Sequence, residues 1–129
     1  MDKRINIGSG SEWEKKVGYS RAVKVGNVIE VAGTTATKEG EIVGINDPYL
    51  QTRYILERIA DVLKELGCFM KDIVRTRMYV VDISQWEEIG KAHAEFFRDI
   101  RPAATMVEVK SLIHPDLLVE IEVTAVVNE

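Results

Sequence analysis

Residues 19–34 read YSRAVKVGNVIEVAGT, and this stretch places the strongest constraint on the fold. Tyr19 to Val25 and Val28 to Thr34 are runs rich in β-branched residues, and the pair Gly26-Asn27 separates them. Two such runs joined by a Gly-Asn pair are typical of a β-hairpin with a two-residue turn. We therefore predict a hairpin in the first third of the chain.

The central part of the chain predicts a helix, a strand and a second helix. Asp47-Pro48 is typical of a helix start, and Gly67 predicts the end of that helix. Residues 72–82 alternate as a strand does. Ser84-Gln85-Trp86-Glu87 predicts a capping box that opens the second helix, and Pro102 predicts its end. The expected apolar stripe of this helix is Trp86, Ile89, His93, Phe96 and Ile100.

The remaining segments complete an α+β pattern. Glu39-Gly40 predicts a tight turn before a short third strand, Glu41 to Ile45. Residues 104–110 and 117–127 predict a closing hairpin. The order hairpin, helix, strand, helix, hairpin is typical of an α+β domain with two helices on one face of a mainly antiparallel or mixed sheet. The other sheet face carries alternating acidic residues on the last strand, so it faces either solvent or another subunit.

Composition narrows the class of protein. The chain has 129 residues, 46% hydrophobic and 29% charged, which predicts one soluble globular domain over residues 1–129. A net charge of −4 disfavours nucleic acid and anionic membranes as partners. The single cysteine, Cys68, excludes an internal disulfide and a paired-cysteine zinc site. The chain shows no apolar signal or membrane segment, so we expect a cytoplasmic protein, and its apolar content favours an oligomer.

Three segments resemble the Rid/YjgF family, also called the liver perchloric-acid-soluble protein family. They are GYSRAV with the following GN and VAG (residues 18–33), QTR with ADVL and G (51–67), and PAATMVEV with LVEIE (102–122). The resemblance spans about residues 17–127. It implies a chorismate-mutase-like α+β fold, a homotrimer with a barrel-like core, and ligand clefts between subunits. It also implies hydrolysis of reactive imines and enamines to 2-keto acids and ammonia, without a metal or an organic cofactor.

One position departs from the family pattern. Deaminase-type members of the family have an arginine that binds the substrate carboxylate, and Ala104 stands at the matching position. A guanidinium binds a carboxylate through two parallel hydrogen bonds, and losing such a pair costs about 2–5 kcal/mol of binding. The family often has serine before the glycine of the second strand, and Ala32 stands there. Standard 2-imino acid substrates in the usual pose are therefore not favoured.

The resemblance carries over a small set of site residues. Tyr19 matches a tyrosine that lines the cleft, and Gly33 and Met106 match positions that contribute mainly backbone groups. Glu120 matches a glutamate that positions a water, which suits attack on an electrophilic C=N carbon. With Ala104 in the cleft, Glu120 is expected to lack its usual cationic neighbour. We therefore expect the cleft to accept neutral or cationic ligands better than a keto acid anion.

Several residues have a simpler structural interpretation. Glu120 and Glu122 fit solvated positions on the polar face of a strand, and for Glu120 both interpretations stay open. Replacement of the missing arginine by Arg75, Arg77 or Arg101 is a further alternative that the sequence does not decide. His93 is expected to be a partly buried structural histidine and Cys68 a small buried filler.

Three functions therefore remain open at this stage. The first is an imine or enamine hydrolase in which Glu120 positions water. The second is a trimer that binds a small metabolite without turnover. The third, an endoribonuclease or translation inhibitor, is disfavoured by the acidic charge balance.

Overall fold

The computed structural model describes residues 3–127 of the chain. These residues form a mixed α+β protein. The elements are β1 (Arg4–Ile7), α1 (Glu12–Val17), β2 (Ala22–Val25), β3 (Val28–Thr34), β4 (Thr37–Lys38), β5 (Glu41–Ile42), α2 (Pro48–Glu65), β6 (Ile73–Val80), α3 (Trp86–Phe97), β7 (Ala103–Glu108) and β8 (Val119–Val126). Met1, Asp2, Asn128 and Glu129, which the predicted domain includes, lie outside the described residues. None of the helices within residues 3–127 is long and apolar enough to span a membrane.

The main sheet has six strands in the order β1-β2-β3-β8-β6-β7. Its neighbouring strands are antiparallel except β6 and β7, which run parallel. Helices α2 and α3 contact each other, and α2 packs against β3 and β8. Their fully buried side chains, such as Ile59 and Ile89, share a core with Val31 and Ile121. The prediction of an α+β protein with helices packed on a mixed sheet is therefore confirmed.

Two local structures predicted from the sequence are present, a hairpin turn and a helix cap. The Gly26-Asn27 turn joins β2 and β3, whose register pairs Val25 with Val28. Asp47 caps α2, since its Oδ1 accepts a hydrogen bond of 2.9 Å from the backbone N–H of Leu50. The third strand is shorter than predicted: only Glu41–Ile42 forms a ladder, with β4, outside the main sheet.

The predicted closing hairpin is wrong. β7 pairs with β6 in parallel, and β8 lies between β3 and β6, so β7 and β8 are not neighbours. A strand that leads through a helix into the next strand of the same sheet returns parallel to it, and α3 supplies this crossover. The 117–127 segment is then free to fill the central position between β3 and β6.

The predicted start of α3 is also wrong. Ser84 does not cap the helix: both its backbone N–H (3.0 Å) and its hydroxyl (2.6 Å) donate to Oδ1 of Asp82. Asp82 thereby caps a 3₁₀ turn over Ile83–Gln85, and α3 begins only at Trp86. The buried side chains of α3 are Ile89, Ala92 and Phe97, whereas Trp86, the predicted first residue of the apolar stripe, is 56% exposed. The helix ends at Phe97 rather than at the predicted Pro102.

A buried amide fixes the start of β8. Gln51 of α2 is fully buried, and its Nε2 donates to the backbone carbonyls of Gly44 (3.0 Å) and Asp116 (2.9 Å). Its Oε1 accepts from the backbone N–H of Leu118 at 2.9 Å. One side chain thus joins the loop before α2 to the loop before β8, because each buried polar backbone group needs a partner.

Candidate functional site

An irregularity in β3 brings Gly33 against Glu120. The β3–β8 register pairs Val31 with Val123 and then Thr34 with Ile121, so three steps along β3 match two along β8. The extra residue is the signature of a β-bulge, which re-aims the local backbone. A Cβ built on Gly33 would lie 2.0 Å from Oε2 of Glu120. Only glycine therefore allows this carboxylate to lie where it does.

A cavity of about 820 Å³ opens beside this contact. Its wall includes Tyr19, Arg21, Gly33, Arg58 and Glu120. Its rim is apolar and open, since Trp13, Val17 and Ile113 also line it and are 52%, 69% and 69% exposed. A concave wall with a few convergent polar groups is typical of a small-molecule site.

The environment of Glu120 makes its carboxylate a stronger base than usual. Burial raises the pKa of Glu120 above its ordinary value of 4.5, and the negative charge of Glu122 acts in the same direction. The positive charge of Arg21 opposes them by favouring the carboxylate. The cation beside Glu120 is therefore Arg21, which lies directly before β2, whereas position 104 holds alanine.

Arg21 is a buried guanidinium in the cavity wall. Its residue is only 7% exposed, and its Nη2 donates to the carbonyl of Gly33 at 2.6 Å. The guanidinium carbon lies 5.9 Å from the centroid of the Tyr19 ring. Burial lowers the pKa of Arg21, although arginine remains protonated at neutral pH. Its Nε is buried and has no hydrogen-bond acceptor among residues 3–127.

Arg58 of α2 is a second guanidinium beside the same segment. It is half-buried, and its Nη1 donates to the carbonyl of Thr35 at 2.8 Å. Its positive charge contributes to lowering the pKa of Arg21, and the two guanidinium groups donate to carbonyls of the same segment, Gly33 and Thr35. Sequence reasoning missed both. The available signal was an arginine next to core residues: Arg58 falls between the buried Leu56 and Ile59.

The sequence-predicted site residues fall into two groups. Tyr19, Gly33 and Glu120 line one cavity. Ala104 and Met106 lie on the edge strand β7, which β6 separates from β8. Ala104 is exposed and pairs with Thr76, while Met106 is half-buried and pairs with Met78. Within one copy of the chain, these two residues do not line the cavity that contains Glu120.

The three arginines considered as replacements for the missing arginine at position 104 make their contacts outside the cavity. Arg75 donates from Nη2 to Oγ1 of Thr105 at 2.6 Å, and Arg101 donates from Nε to the carbonyl of Arg98 at 3.1 Å. Nε of Arg77 lies 3.9 Å from Oε1 of Glu122. None of the three lines the cavity beside Glu120.

Glu122 differs from Glu120 in its surroundings. Its Oε1 accepts a hydrogen bond of 2.8 Å from the hydroxyl of Tyr79 on β6. This contact belongs to the polar, half-exposed face of the sheet, as the simpler interpretation of Glu122 expects. Glu120, two residues earlier on the same face, lies at the cavity instead.

His93 and Cys68 lie away from the cavity. Nε2 of His93 lies 2.9 Å from Oγ1 of Thr76, and its ring centroid lies 4.5 Å from that of Phe97. Burial lowers the pKa of His93 and raises the pKa of the Cys68 thiol. Their positions match the structural interpretation of each. Within the described part of the chain, no group of three or more His, Cys, Asp or Glu side chains could hold a metal ion.

The fold and the site define a class: an α+β protein with a cavity whose wall holds a desolvated carboxylate and a buried guanidinium. The family model described as Endoribonuclease L-PSP matches residues 10–127. The chain therefore belongs to this family, which is the Rid/YjgF family that its sequence resembles.

Relatives of known structure and sequence agree with this assignment. The chain is 50% identical to Rv2704 of Mycobacterium tuberculosis, a member of the YjgF/YER057c/UK114 family, with a TM-score of 0.88 over 97% of this chain and 100% of that one. YyfA of Yersinia pestis, from the Rid protein family, is 29% identical with a TM-score of 0.84, covering 97% and 100%. The 3-aminoacrylate deaminase RutC of Acinetobacter baylyi is 34% identical over 104 residues, 80% of this chain and 82% of RutC.

Proposed function

We propose that this protein hydrolyses a small imine or enamine, and that the cavity beside Gly33 holds this substrate against Glu120. The observation that carries the proposal is the position of Glu120: a desolvated carboxylate with a raised pKa, in a concave wall and next to a cation. Catalytic bases are often carboxylates whose pKa is raised by burial. The name of the RutC relative, a deaminase of an amino-substituted acrylate, supports the same reaction class.

The reaction needs only water and one carboxylate. Glu120 orients a water molecule toward the carbon of the C=N bond and accepts a proton as the new C–O bond forms. The same proton then passes to the nitrogen. The hydroxyl proton of the resulting carbinolamine then passes through Glu120 to the nitrogen as the C–N bond breaks, so ammonia leaves and the carbon becomes a carbonyl. An enamine enters this sequence after tautomerising to the imine, in which its β-carbon gains a proton and its nitrogen loses one.

The proposal includes a homotrimer with the cavities between subunits, as the family resemblance implies. The exposed rim of Trp13, Val17 and Ile113 supports it, because apolar side chains clustered around one opening favour burial against a partner. A neighbouring subunit that places its edge strand β7 on this rim would bring Ala104 and Met106 to the cavity. Light scattering tests the assembly: we expect three times the 14.6 kDa of one chain, and a mass of one chain would contradict it.

The hydrolysis is tested by generating imines in place. An amino-acid oxidase or a threonine dehydratase releases the imine, and its decay is followed with and without the protein. We expect the wild-type protein to accelerate the decay and Glu120→Gln to reduce that acceleration by about 100-fold or more. Glu57→Gln is the matched control, because Glu57 is exposed on α2 and lies outside the cavity. Absence of acceleration for every amino acid tested would contradict a hydrolase.

Binding without turnover is the second candidate function. The absence of a guanidinium at position 104 favours it for standard 2-imino acids, since the usual carboxylate contact of the family is missing. The same imine experiment separates the two functions, because a binding protein would retain a ligand without accelerating imine decay. The family description also names an endoribonuclease, and the net charge of −4 weighs against that activity.

A further inference from the structure

We propose that Arg21 and Arg58 form an anion subsite in the cavity, and that this subsite binds the carboxylate of an anionic imine in place of the arginine missing at position 104. The inference rests on the proposed hydrolase function and specifies its substrate class.

The two guanidinium groups are held beside the same short segment of chain. Arg21 donates to the carbonyl of Gly33 and Arg58 to the carbonyl of Thr35, only two residues further on. Both arginines line the cavity that contains Glu120. Because each is anchored by a backbone carbonyl, their remaining N–H donors have fixed directions, which lowers the cost of binding a planar anion.

The donors of Arg21 are incompletely used. Its residue is more than nine-tenths buried, yet its Nε has no acceptor among residues 3–127. A buried donor without a partner costs free energy, and such a group in a native structure needs an explanation. A second cation close by adds repulsion. An anion bound between Arg21 and Arg58 would relieve this repulsion and offset the cost of burying the Arg21 charge.

Neither Glu120 nor the other carboxylates around the cavity fill this role. Glu14 is buried, and its oxygens accept from the backbone N–H of Ser9 (3.0 Å) and from the Ser9 hydroxyl. Glu12, in the cavity wall, lies 3.2 Å from Nζ of Lys16. Glu39, also in the wall, is on an exposed turn. Within residues 3–127, no salt bridge joins a carboxylate to Arg21 or Arg58.

The subsite has the right relation to the reacting group. Arg21 binds the carbonyl of Gly33, and the Glu120 carboxylate lies against the same glycine. A carboxylate held by Arg21 and Arg58 therefore leaves the adjacent C=N carbon of a 2-imino acid close to Glu120. Such positioning contributes strongly to catalysis, because the water, the carboxylate and the C=N carbon are held in a reactive geometry and need not meet by diffusion. The expected preference for neutral or cationic ligands is then reversed.

Direct binding of a stable product analogue tests the subsite. Calorimetry of the full-length protein with 2-oxobutyrate, at low salt, measures binding without turnover. We expect Arg58→Gln to weaken binding at least tenfold and Arg21→Lys, which keeps the charge but loses the planar fork, to weaken it by a similar factor. Arg98→Gln, which removes an exposed arginine after α3 and outside the cavity, is the matched control and is expected to bind normally. The uncharged analogue 2-butanone should bind equally to all four proteins.

Each outcome decides the proposal. Undetectable binding of 2-oxobutyrate by the wild-type protein, or equal weakening in Arg58→Gln and Arg98→Gln, would overturn it. If Arg21→Lys fails to fold, as a melting curve would show, the half-buried Arg58 still decides the outcome. Hydrolysis of an uncharged imine without Arg58-dependent binding of the anion would disprove the subsite and leave the hydrolase standing. Arg58-dependent binding of the anion without any imine hydrolysis would support the subsite and contradict the hydrolase.

Discussion

The carboxylate of Glu120 lies over the backbone of Gly33, where a single added methyl group would meet Oε2 at 2.0 Å. The contact exists because β3 carries one extra residue between its pairings with Val123 and Ile121 of β8. The bulge therefore links the fold to the site: it opens the sheet where Glu120 points and exposes the Gly33 carbonyl to Arg21.

Replacement of Gly33 by alanine is expected to disable the site while leaving the fold in place. The new Cβ would displace the Glu120 carboxylate, and a displacement of about 1 Å of a reacting group costs about 100-fold in rate. Imine-decay assays measure the rate, and circular dichroism confirms the fold. Gly90→Ala is the matched control, since its Cβ meets nothing within 4 Å and alanine is the better helix former. Wild-type rates for Gly33→Ala would show that the position of Glu120 is not critical.

Glu120→Gln is expected to lose activity and to be more stable than the wild-type protein at neutral and alkaline pH. Burial raises the pKa of Glu120 above 4.5 in the folded protein, so the folded state binds its proton more tightly than the unfolded state does. The stability penalty is absent below the unfolded pKa and grows as pH rises through the folded pKa. Because glutamine carries no charge, the variant should melt higher than wild type at pH 8 and equally at pH 4. A lower melting temperature at pH 8 would contradict a desolvated carboxylate.

Local sequence patterns predicted the helices and strands better than the pairing between distant strands. The Gly26-Asn27 hairpin and the Asp47 cap depend on neighbouring residues, so local patterns were sufficient to place them. The parallel pairing of β7 with β6 depends on contacts distant in sequence, and a local pattern cannot distinguish it from a closing hairpin. The residues of the candidate site show the same difference between what the sequence indicates and what only tertiary packing brings together. Glu120 and Gly33 were found through family resemblance, whereas Arg58 reaches the cavity only through the packing of α2 against the sheet.

Gln51→Leu is expected to destabilise the protein by at least about 2 kcal/mol, because each buried polar group left without a partner costs about 1–3 kcal/mol. The variant would leave the carbonyls of Gly44 and Asp116 and the N–H of Leu118 without their present partner. Urea unfolding monitored by fluorescence measures the change. Glu57→Gln, an exposed position on the same helix, is the control and should change stability by less than about 0.5 kcal/mol. Equal stability of Gln51→Leu and wild type would show that the buried amide does not secure the start of β8.

His93→Gln is expected to reduce the loss of stability that occurs between pH 7.5 and pH 5.5. Burial lowers the pKa of His93 below 6.5 in the folded state, so the unfolded state gains a proton first as pH falls. This contribution to stability is fully present above pH 6.5 and is lost as pH falls toward the folded pKa. Glutamine can still donate to Oγ1 of Thr76, with which Nε2 of His93 now shares a hydrogen bond of 2.9 Å.

Melting curves of both proteins across this pH range test the His93 prediction. Glu120 contributes a pH dependence of opposite sign, since its raised pKa favours the folded state as pH falls. Both proteins retain Glu120, so its contribution cancels when the two profiles are subtracted. The remaining difference should fall on the acid side of pH 6.5, with wild type losing more stability than the variant. Parallel profiles would mean that His93 takes up a proton as readily in the folded protein as in the unfolded chain.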